Sequence, residues 1–404
     1  MSVETPTTVP PTTERSGISE EANSRAKWRD ALATGLFHSG ALRILQAFSR
    51  RYELKGSNGG KPLPSRRPGH PKFLVLCYHR IGTNGIPLFS ELPPSIFDAQ
   101  MRYIRKRYRV LSLDDLCEEM ETPSSKEDAV AVTFDDGYRD LFTHALPVLR
   151  KYQIPATIFL PAASIETGHV PWYDRIFLAL QVFPKSDFEI ILDRHRSFRL
   201  TSFHTRLQAA AEIIQYLRSL PDDRRKEFCA ALDGQIILPK DELRDRMLTW
   251  DQIRDMGREG ISFGSHTMSH PAVSQLTESQ LEHELSESKR ALEQRIGSPV
   301  VHFAYPFGKP ADCGTAALPF LLRYGYRSAV TTVEGINEPG DSFYELRRSQ
   351  IGNERSVAMF AFRLNQLFLS SSIQDSTVAY SAHPSVLAEP LAESKSPQAG
   401  ASNA

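Results

Sequence analysis

Runs of apolar, β-branched residues alternate along this chain with stretches of helical periodicity, and that rhythm constrains the fold more than any other feature. "KFLVLCY", "AVAVTF" and "ATIFLPA" read as buried strands, and "ISFGS", "VVHFAY" and "RSAVTT" follow further along. Between them lie "SIFDAQMRYIRKRY", with Phe97, Met101 and Ile104 on one face, and a second helix from Tyr138 to Tyr152. A long third helix opens on Thr277-x-x-Gln280, a capping box, and is lined by Leu281, Leu285, Leu292 and Ile296. Strand, helix, strand in this order implies right-handed βαβ units, hence an α/β fold built on a parallel sheet or barrel. The segment from about Trp172 to Met247 breaks the rhythm with patterns such as "LQAAAEIIQYLRSLPDDRRKEFCAAL" and reads as a helical insertion over one side of the sheet.

The ends of the chain are different in kind. Residues 1–24 are rich in Thr, Pro, Ser and Glu and read as disordered, as does the Ser/Ala/Pro-rich tail 370–404. Residues 25–71 combine a helical pattern (Trp28, Leu32, Leu36, Ala41, Leu45, Phe48) with a basic, Gly/Pro-rich linker holding Arg50, Arg51, Lys55, Lys61, Arg66 and Arg67. Two readings stand for it: a peripheral membrane contact through residues 25–67, or a helix packed on the main domain or a partner, which the modest apolar face favours. The catalytic unit is expected over 72–369. Lysine plus arginine (48) balances aspartate plus glutamate (48), so nothing electrostatic points to nucleic acid. Cys77, Cys117, Cys229 and Cys313 are far apart and form neither a disulfide scaffold nor a cysteine zinc knuckle. The N-terminus shows no secretory signal, and no run approaches the roughly 20 apolar residues of a membrane span. The expected location is cytoplasmic, or peripheral at the inner membrane surface.

Four strand ends carry chemistry-bearing residues, and in an α/β barrel these would share one face. "KFLVLCY" leads into His79, "AVAVTF" into Asp135 and Asp136, "ISFGS" into His266 and His270, and "VVHFAY" into Pro306, Phe307 and Gly308. The two adjacent carboxylates of "TFDDGY" repel each other and are costly to desolvate, so a positive charge is expected beside them. Two histidines at i, i+4 in "SHTMSH" converge if the segment coils, and two imidazoles with one carboxylate make a three-ligand set for zinc with a position left open for water. One aspartate would then ligate the cation and the other remain free as a base, with Gly137 giving the chain freedom to turn between the two roles. His302, inside a strand, reads as a satisfied core histidine; Trp250 reads as a core anchor at a helix start. Trp172 and Tyr173 of "PWYDRI" read as packing residues of the insertion rather than sugar-stacking ones.

These motifs resemble those of the polysaccharide deacetylases of carbohydrate esterase family four. "TFDDGY", "SHTMSH" and "FAYPFG" resemble the family's first three motifs, in order, and "CYHRIG", "FDAQMRYIRKRYRVLSLDDL" and "MLTWDQI" resemble its exopolysaccharide branch. The resemblance runs from about Lys72 to Arg348 and implies a distorted (β/α) barrel with the helical insertion. It also implies a metal-dependent hydrolase that removes N-acetyl groups from amino sugars of a polysaccharide or its lipid-linked precursor. Carried over by position, Asp135 is the base, Asp136, His266 and His270 hold one divalent metal, most simply zinc, and the "YPFG" loop (Tyr305, Phe307, Gly308) supplies the oxyanion and substrate contacts, with the Phe307 N–H as donor. The chain departs from the pattern twice. Ala304 stands where the family often has an arginine that orients the base, and "LRR" at Leu346–Arg348 stands near where an "LxH" histidine acid is expected. Arg348 is the candidate replacement cation and His79 the candidate acid. The other readings are a small-molecule or cyclic amide hydrolase on the same scaffold, and a catalytically impaired carbohydrate-binding protein.

Overall fold

The computed structural model describes residues 70–83, 91–235, 246–352, 354 and 356–370. Apart from their junctions with the domain, the N-terminal segments 1–24 and 25–71 and the tail 370–404 lie outside the described residues, as does the expected membrane contact. In chain order the elements are β1 (Phe73–Tyr78), α1 (Pro94–Arg107), β2 (Arg109–Leu111), α2 (Leu113–Glu121), β3 (Ala129–Phe134), α3 (Leu146–Tyr152), β4 (Ala156–Leu160), α4 (Ala162–Thr167) and α5 (Trp172–Val182). Then come β5 (Asp187–Ile191), β6 (His195–Arg199), α6 (Phe203–Arg218), α7 (Asp222–Gln235), α8 (Trp250–Arg258), β7 (Ile261–Ser265) and α9 (Glu278–Ile296). The chain continues through β8 (His302–Ala304), α10 (Pro310–Cys313), α11 (Leu318–Arg323), β9 (Ser328–Val330), β10 (Arg348–Gln350) and α12 (Val357–Ser370).

All the strands of the main sheet are parallel, in the order β10-β1-β3-β4-β7-β8-β9, with β2 paired to the N-terminal half of β3. The two edges meet through the stretch entering β10. Leu346 bridges Val330 of β9, and two residues later Arg348 aligns with Val75 of β1. The result is a (β/α) barrel, distorted where β7 and β8 share a single aligned pair, Ser265 with Phe303.

Strand periodicity sorts the side chains. Leu74, Leu76, Val130, Val132 and Phe134 face the helices, whereas Phe73, Val75, Ala129, Ala131, Phe159, Ala304, Val330 and Leu346 form a second apolar cluster inside the barrel. Leu113, Leu116, Cys117 and Met120 of α2 join that inner cluster beside the first residues of β1 and β3, closing the barrel at its N-terminal end. Gly264 of β7 aligns with Phe159, and a Cβ there would stand 2.4 Å from the ring, so glycine is what admits the ring to the interior. One layer higher the alternation turns polar, with Thr133, Asp135 and Arg348 buried toward the C-terminal end.

Three expectations are corrected. The insertion is not wholly helical: β5 and β6 form an antiparallel hairpin in which Phe188 faces Phe198, an alternation overshadowed by the charged helices after it. The helix expected over Tyr138–Tyr152 begins as a π turn at Leu141–Ala145, because Pro147 has no N–H for the carbonyl of Thr143. Trp250 opens α8 but is only half-buried, its indole N–H donating to Glu166 at 3.0 Å. His302 is a buried core histidine, with Nδ1 hydrogen-bonded to Ser328 Oγ at 2.8 Å and Nε2 at ion-pair distance, 3.1 Å, from a carboxylate oxygen of Asp114. Among the described residues no helix is long and apolar enough to cross a membrane.

Candidate active site

Asp135 and Asp136 leave the end of β3 in different directions. Asp135 continues the alternation into the barrel, where Arg348 forks onto it, Nη1 donating to Oδ1 at 2.8 Å and Nη2 to Oδ2 at 2.7 Å. The fully buried guanidinium also donates to the carbonyl of Thr331 (2.7 Å) and to Thr133 Oγ1 (3.2 Å), and lies 5.6 Å over the Phe159 ring. Burial alone would raise the pKa of Asp135; the Arg348 charge outweighs it and holds the carboxyl well below the usual carboxylate range. The pair is therefore ionised, bidentate and dry.

Asp136 turns away at once. Its own φ is +71° and that of Gly137 is +70°, so the turn starts one residue earlier than the glycine alone requires; aspartate tolerates this conformation better than most residues. Its Oδ1 lies 3.4 Å from His270 Nε2 and 3.7 Å from His266 Nε2, and one ligand atom from each of the three residues falls within 4.8 Å of the others. That Oδ1 is buried without a hydrogen-bond partner, and an orphaned buried carboxylate oxygen facing two imidazoles fits a cation between them. Cys77, His79 and Asp135 also approach within 4.8 Å, but Asp135 is already engaged by Arg348, whose charge opposes a second cation there.

The histidine pair converges through a loop, not the helical coil its spacing suggested. Thr267 (φ +65°) and His270 (φ +58°) are both left-handed. The His270 N–H donates to Thr267 Oγ1 at 2.9 Å, and Glu284 of α9 accepts from the Met268 N–H (2.8 Å), the Ser269 N–H (2.9 Å) and the Ser269 hydroxyl (2.6 Å). His266 Nδ1 donates to the Ala304 carbonyl at 2.7 Å, which aims Nε2 at Asp136. Burial pushes the His266 pKa down to about 4, so its imidazole is neutral and able to ligate at physiological pH.

After β8 the chain makes a tight turn at Phe307 (φ +60°), where the Gly308 N–H donates to the Pro306 carbonyl at 2.7 Å. Among the described residues nothing accepts from the Phe307 N–H. Gly308 has φ +68°, and a Cβ there would stand 2.7 Å from the backbone nitrogen of Thr332, so the turn requires glycine at this position. Tyr305 is buried, its hydroxyl donating to the Tyr344 carbonyl at 3.3 Å. The Phe307 ring packs 5.0 Å from His270 and 6.0 Å from Trp172. His79 is half-buried just beyond β1. Asp136, Thr267, His270 and Phe307 are four of the five described non-glycine residues with positive φ, so the backbone strain among the described residues is concentrated here.

The family model for polysaccharide deacetylase matches residues 122–328, just over half of the chain and the whole stretch that holds both aspartates and both histidines. The chain belongs to the polysaccharide deacetylase family. YxkH of Bacillus subtilis (strain 168), which carries the polysaccharide deacetylase name, is 24% identical over 293 residues, 72% of this chain and 75% of that protein. Among solved structures, the Streptococcus pyogenes deacetylase PplD in complex with acetate matches at a TM-score of 0.49 and 21% identity, covering 73% of this chain and 97% of that one. IcaB from Ammonifex degensii matches at 0.47 and 18%, covering 72% and 97%. This polysaccharide deacetylase is a hydrolase that removes acetyl groups from carbohydrate amines.

Some side chains around the deacetylase site escaped sequence reasoning. Glu284 is the clearest: an acid on the buried stripe of α9, between Leu281 and Leu285, has no reason to be there unless something donates to it. That interruption of the stripe was the available signal. Trp172, read as packing, does pack, but its indole N–H also donates to the His270 carbonyl at 2.9 Å.

Proposed function

We propose that this deacetylase hydrolyses N-acetyl groups of amino sugars in a surface or exopolysaccharide, or in its lipid-linked precursor, using one divalent metal. The observation that carries the reading is the convergence of Asp136, His266 and His270 on one point beside the buried Asp135–Arg348 pair. Two imidazoles and one carboxylate suit zinc better than magnesium. When bound, the cation would supply Lewis acidity to the water and to the acetamide carbonyl.

The residues of the chain do the rest. Asp135 takes a proton from the attacking water, and Arg348, by engaging both its oxygens, orients the carboxylate and keeps it ionised. The Phe307 N–H, fixed by its strained turn, donates to the oxygen that becomes negative as the carbonyl carbon turns tetrahedral. His79 delivers a proton to the sugar nitrogen as the C–N bond breaks. Acetate and a free amine leave. The catalytic unit runs over 72–369, and the "CYHRIG" and "MLTWDQI" stretches support the exopolysaccharide branch.

Elemental analysis of purified protein, wild type against the His266→Ala/His270→Ala variant, tests the metal. The same preparations incubated with N-acetylglucosamine oligomers and with small cyclic amides test the substrate class by acetate release. One zinc-like ion per wild-type chain, absent from the variant, together with acetate from the oligomers alone, is the expected result. Wild-type protein that takes up neither zinc nor cobalt would remove the hydrolytic mechanism.

A further inference from the structure

Two of the three proposed ligands, Asp136 and His270, stand at left-handed backbone positions, and the loops that carry them are both tied to the same turn of one helix in the insertion. Trp172, the first residue of α5, donates its indole N–H to the carbonyl of His270 at 2.9 Å, at the residue whose φ is +58°. Two residues on, Asp174 accepts from the Tyr138 hydroxyl at 2.6 Å, and Tyr138 lies two residues beyond Asp136, whose φ is +71°. Between them the Tyr173 ring packs 4.7 Å from the His270 ring. Trp172, Asp174 and Tyr138 are 8%, 2% and 1% exposed, so these bonds are shielded from competing water. The rest of α5 is anchored independently of the barrel strands. It packs along α6, and Arg206 of α6 donates to the carbonyl of Phe183 at 3.0 Å and to that of Leu180, at the end of α5.

We infer that the first turn of α5 is a positioning device that holds Asp136 and His270 in their ligating geometry, so that metal retention depends on the docked insertion. The inference rests on the metal reading above. A left-handed aspartate and a left-handed histidine relax toward ordinary backbone unless the surroundings over-determine them, and α5 grips one loop at a carbonyl and the other at a hydroxyl two residues along. The coupling is reciprocal: a bound metal must favour the docked insertion by the same factor by which docking favours the metal. Trp172 and Asp174 are therefore positioning residues and touch no reacting atom.

Zinc affinity of the full chain, measured by chelator competition, tests this in Trp172→Phe, Tyr138→Phe and Asp174→Asn. Trp172→Phe keeps an aromatic ring, smaller than the indole, and deletes the donor, Tyr138→Phe deletes the other donor, and Asp174→Asn retains an acceptor for Tyr138. The two donor deletions are expected to weaken zinc binding roughly 10- to 100-fold, the range for groups that orient metal ligands. Asp174→Asn is expected to stay within about threefold of wild type. Saturating zinc should restore the kcat of Trp172→Phe, and its metal-free melting temperature should match wild type, which a merely structural role would not give. Donor deletions that bind zinc like wild type, or an Asp174→Asn variant as weak as they are, would overturn the inference and leave the metal reading intact. Wild-type protein that binds no zinc would overturn both.

Discussion

Replacing Arg348 by methionine isolates what the buried ion pair contributes. The substitution conserves much of the volume but strips Asp135 of both its charge-assisted bonds and frees the Thr331 carbonyl, in a layer where Arg348 is 0% and Asp135 2% exposed. Removing one partner of such a pair leaves an uncompensated buried charge and costs about 3–5 kcal/mol at neutral pH. The sign with pH follows from what Asp135 becomes. In the wild type its folded pKa lies below the unfolded value, so the pair's contribution is present above the unfolded pKa and is lost as pH falls toward the folded one. In the variant the largest charge opposing burial is gone, leaving only the weaker pull of His266 and His79, and the folded pKa is expected to rise above the unfolded value. The stability deficit is then largest at neutral pH and shrinks as pH falls and Asp135 is protonated. Urea denaturation of wild type and Arg348→Met at several pH values between 7 and 5 measures this directly, and the acidic limb of kcat/KM should move upward in parallel. Adding Asp135→Leu to the variant should recover most of the lost stability while abolishing activity, because an apolar pair is no longer an orphaned charge. A deficit below about 1 kcal/mol, the range of exposed pairs, or one that does not change with pH, would refute the reasoning.

Three further outcomes follow from the surrounding loops. Glu284→Gln loses the charged acceptor under Met268 and Ser269 and should cost about 1.5–3 kcal/mol, read as a lower urea midpoint together with weaker metal binding; a variant with native stability would show the loop holds itself. Gly308→Ala places a Cβ against the Thr332 backbone at positive φ and should cost about 1–3 kcal/mol and reduce kcat, whereas full activity at native melting temperature would deny the Phe307 turn its role. His79→Gln should lower kcat by about a hundredfold or more with zinc content unchanged, and an unaltered kcat would remove His79 from the reaction.

The barrel was legible from β1, β3 and β4, whose two buried faces write each as a nearly unbroken apolar run that no surface helix would tolerate, whereas β2 (Arg-Val-Leu, half-buried) and β10 (Arg-Ser-Gln) carry no such signal. Asp135, Asp136, His266 and His270 stand in two short motifs at strand ends, so their meeting at one face follows from strand direction alone. How they meet does not. The left-handed turn at Asp136 and the looped path from His266 to His270 depend on Glu284, Thr267 and the first turn of α5, partners distant in sequence or hidden in amphipathic patterns whose polar members look like surface. The hairpin of the insertion was missed for a similar reason: its strands are half exposed, and their weak alternation precedes a strongly helical segment.

The displacement of the arginine shows why motif order and spatial order part company in a closed barrel. By sequence Ala304, on β8, is the position from which a guanidinium would be expected, and Arg348 lies 44 residues later. In space the barrel closes: β10 pairs with β1 and β1 with β3, so Arg348 aligns through Val75 with Ala131, in the layers below Asp135 on the inner face. Its side chain climbs past Thr133 to reach the carboxylate. Room for this exists because the interior is lined there by Ala131, Ala304 and the glycine at 264, while Phe159 supplies a flat face under the guanidinium. A carboxylate at the mouth of a barrel can be met by a cation from any strand whose inner-face residue is long enough, provided the opposing positions are small. The alanine at 304 and the arginine at 348 are then two halves of one arrangement, and neither can be interpreted from its own motif alone.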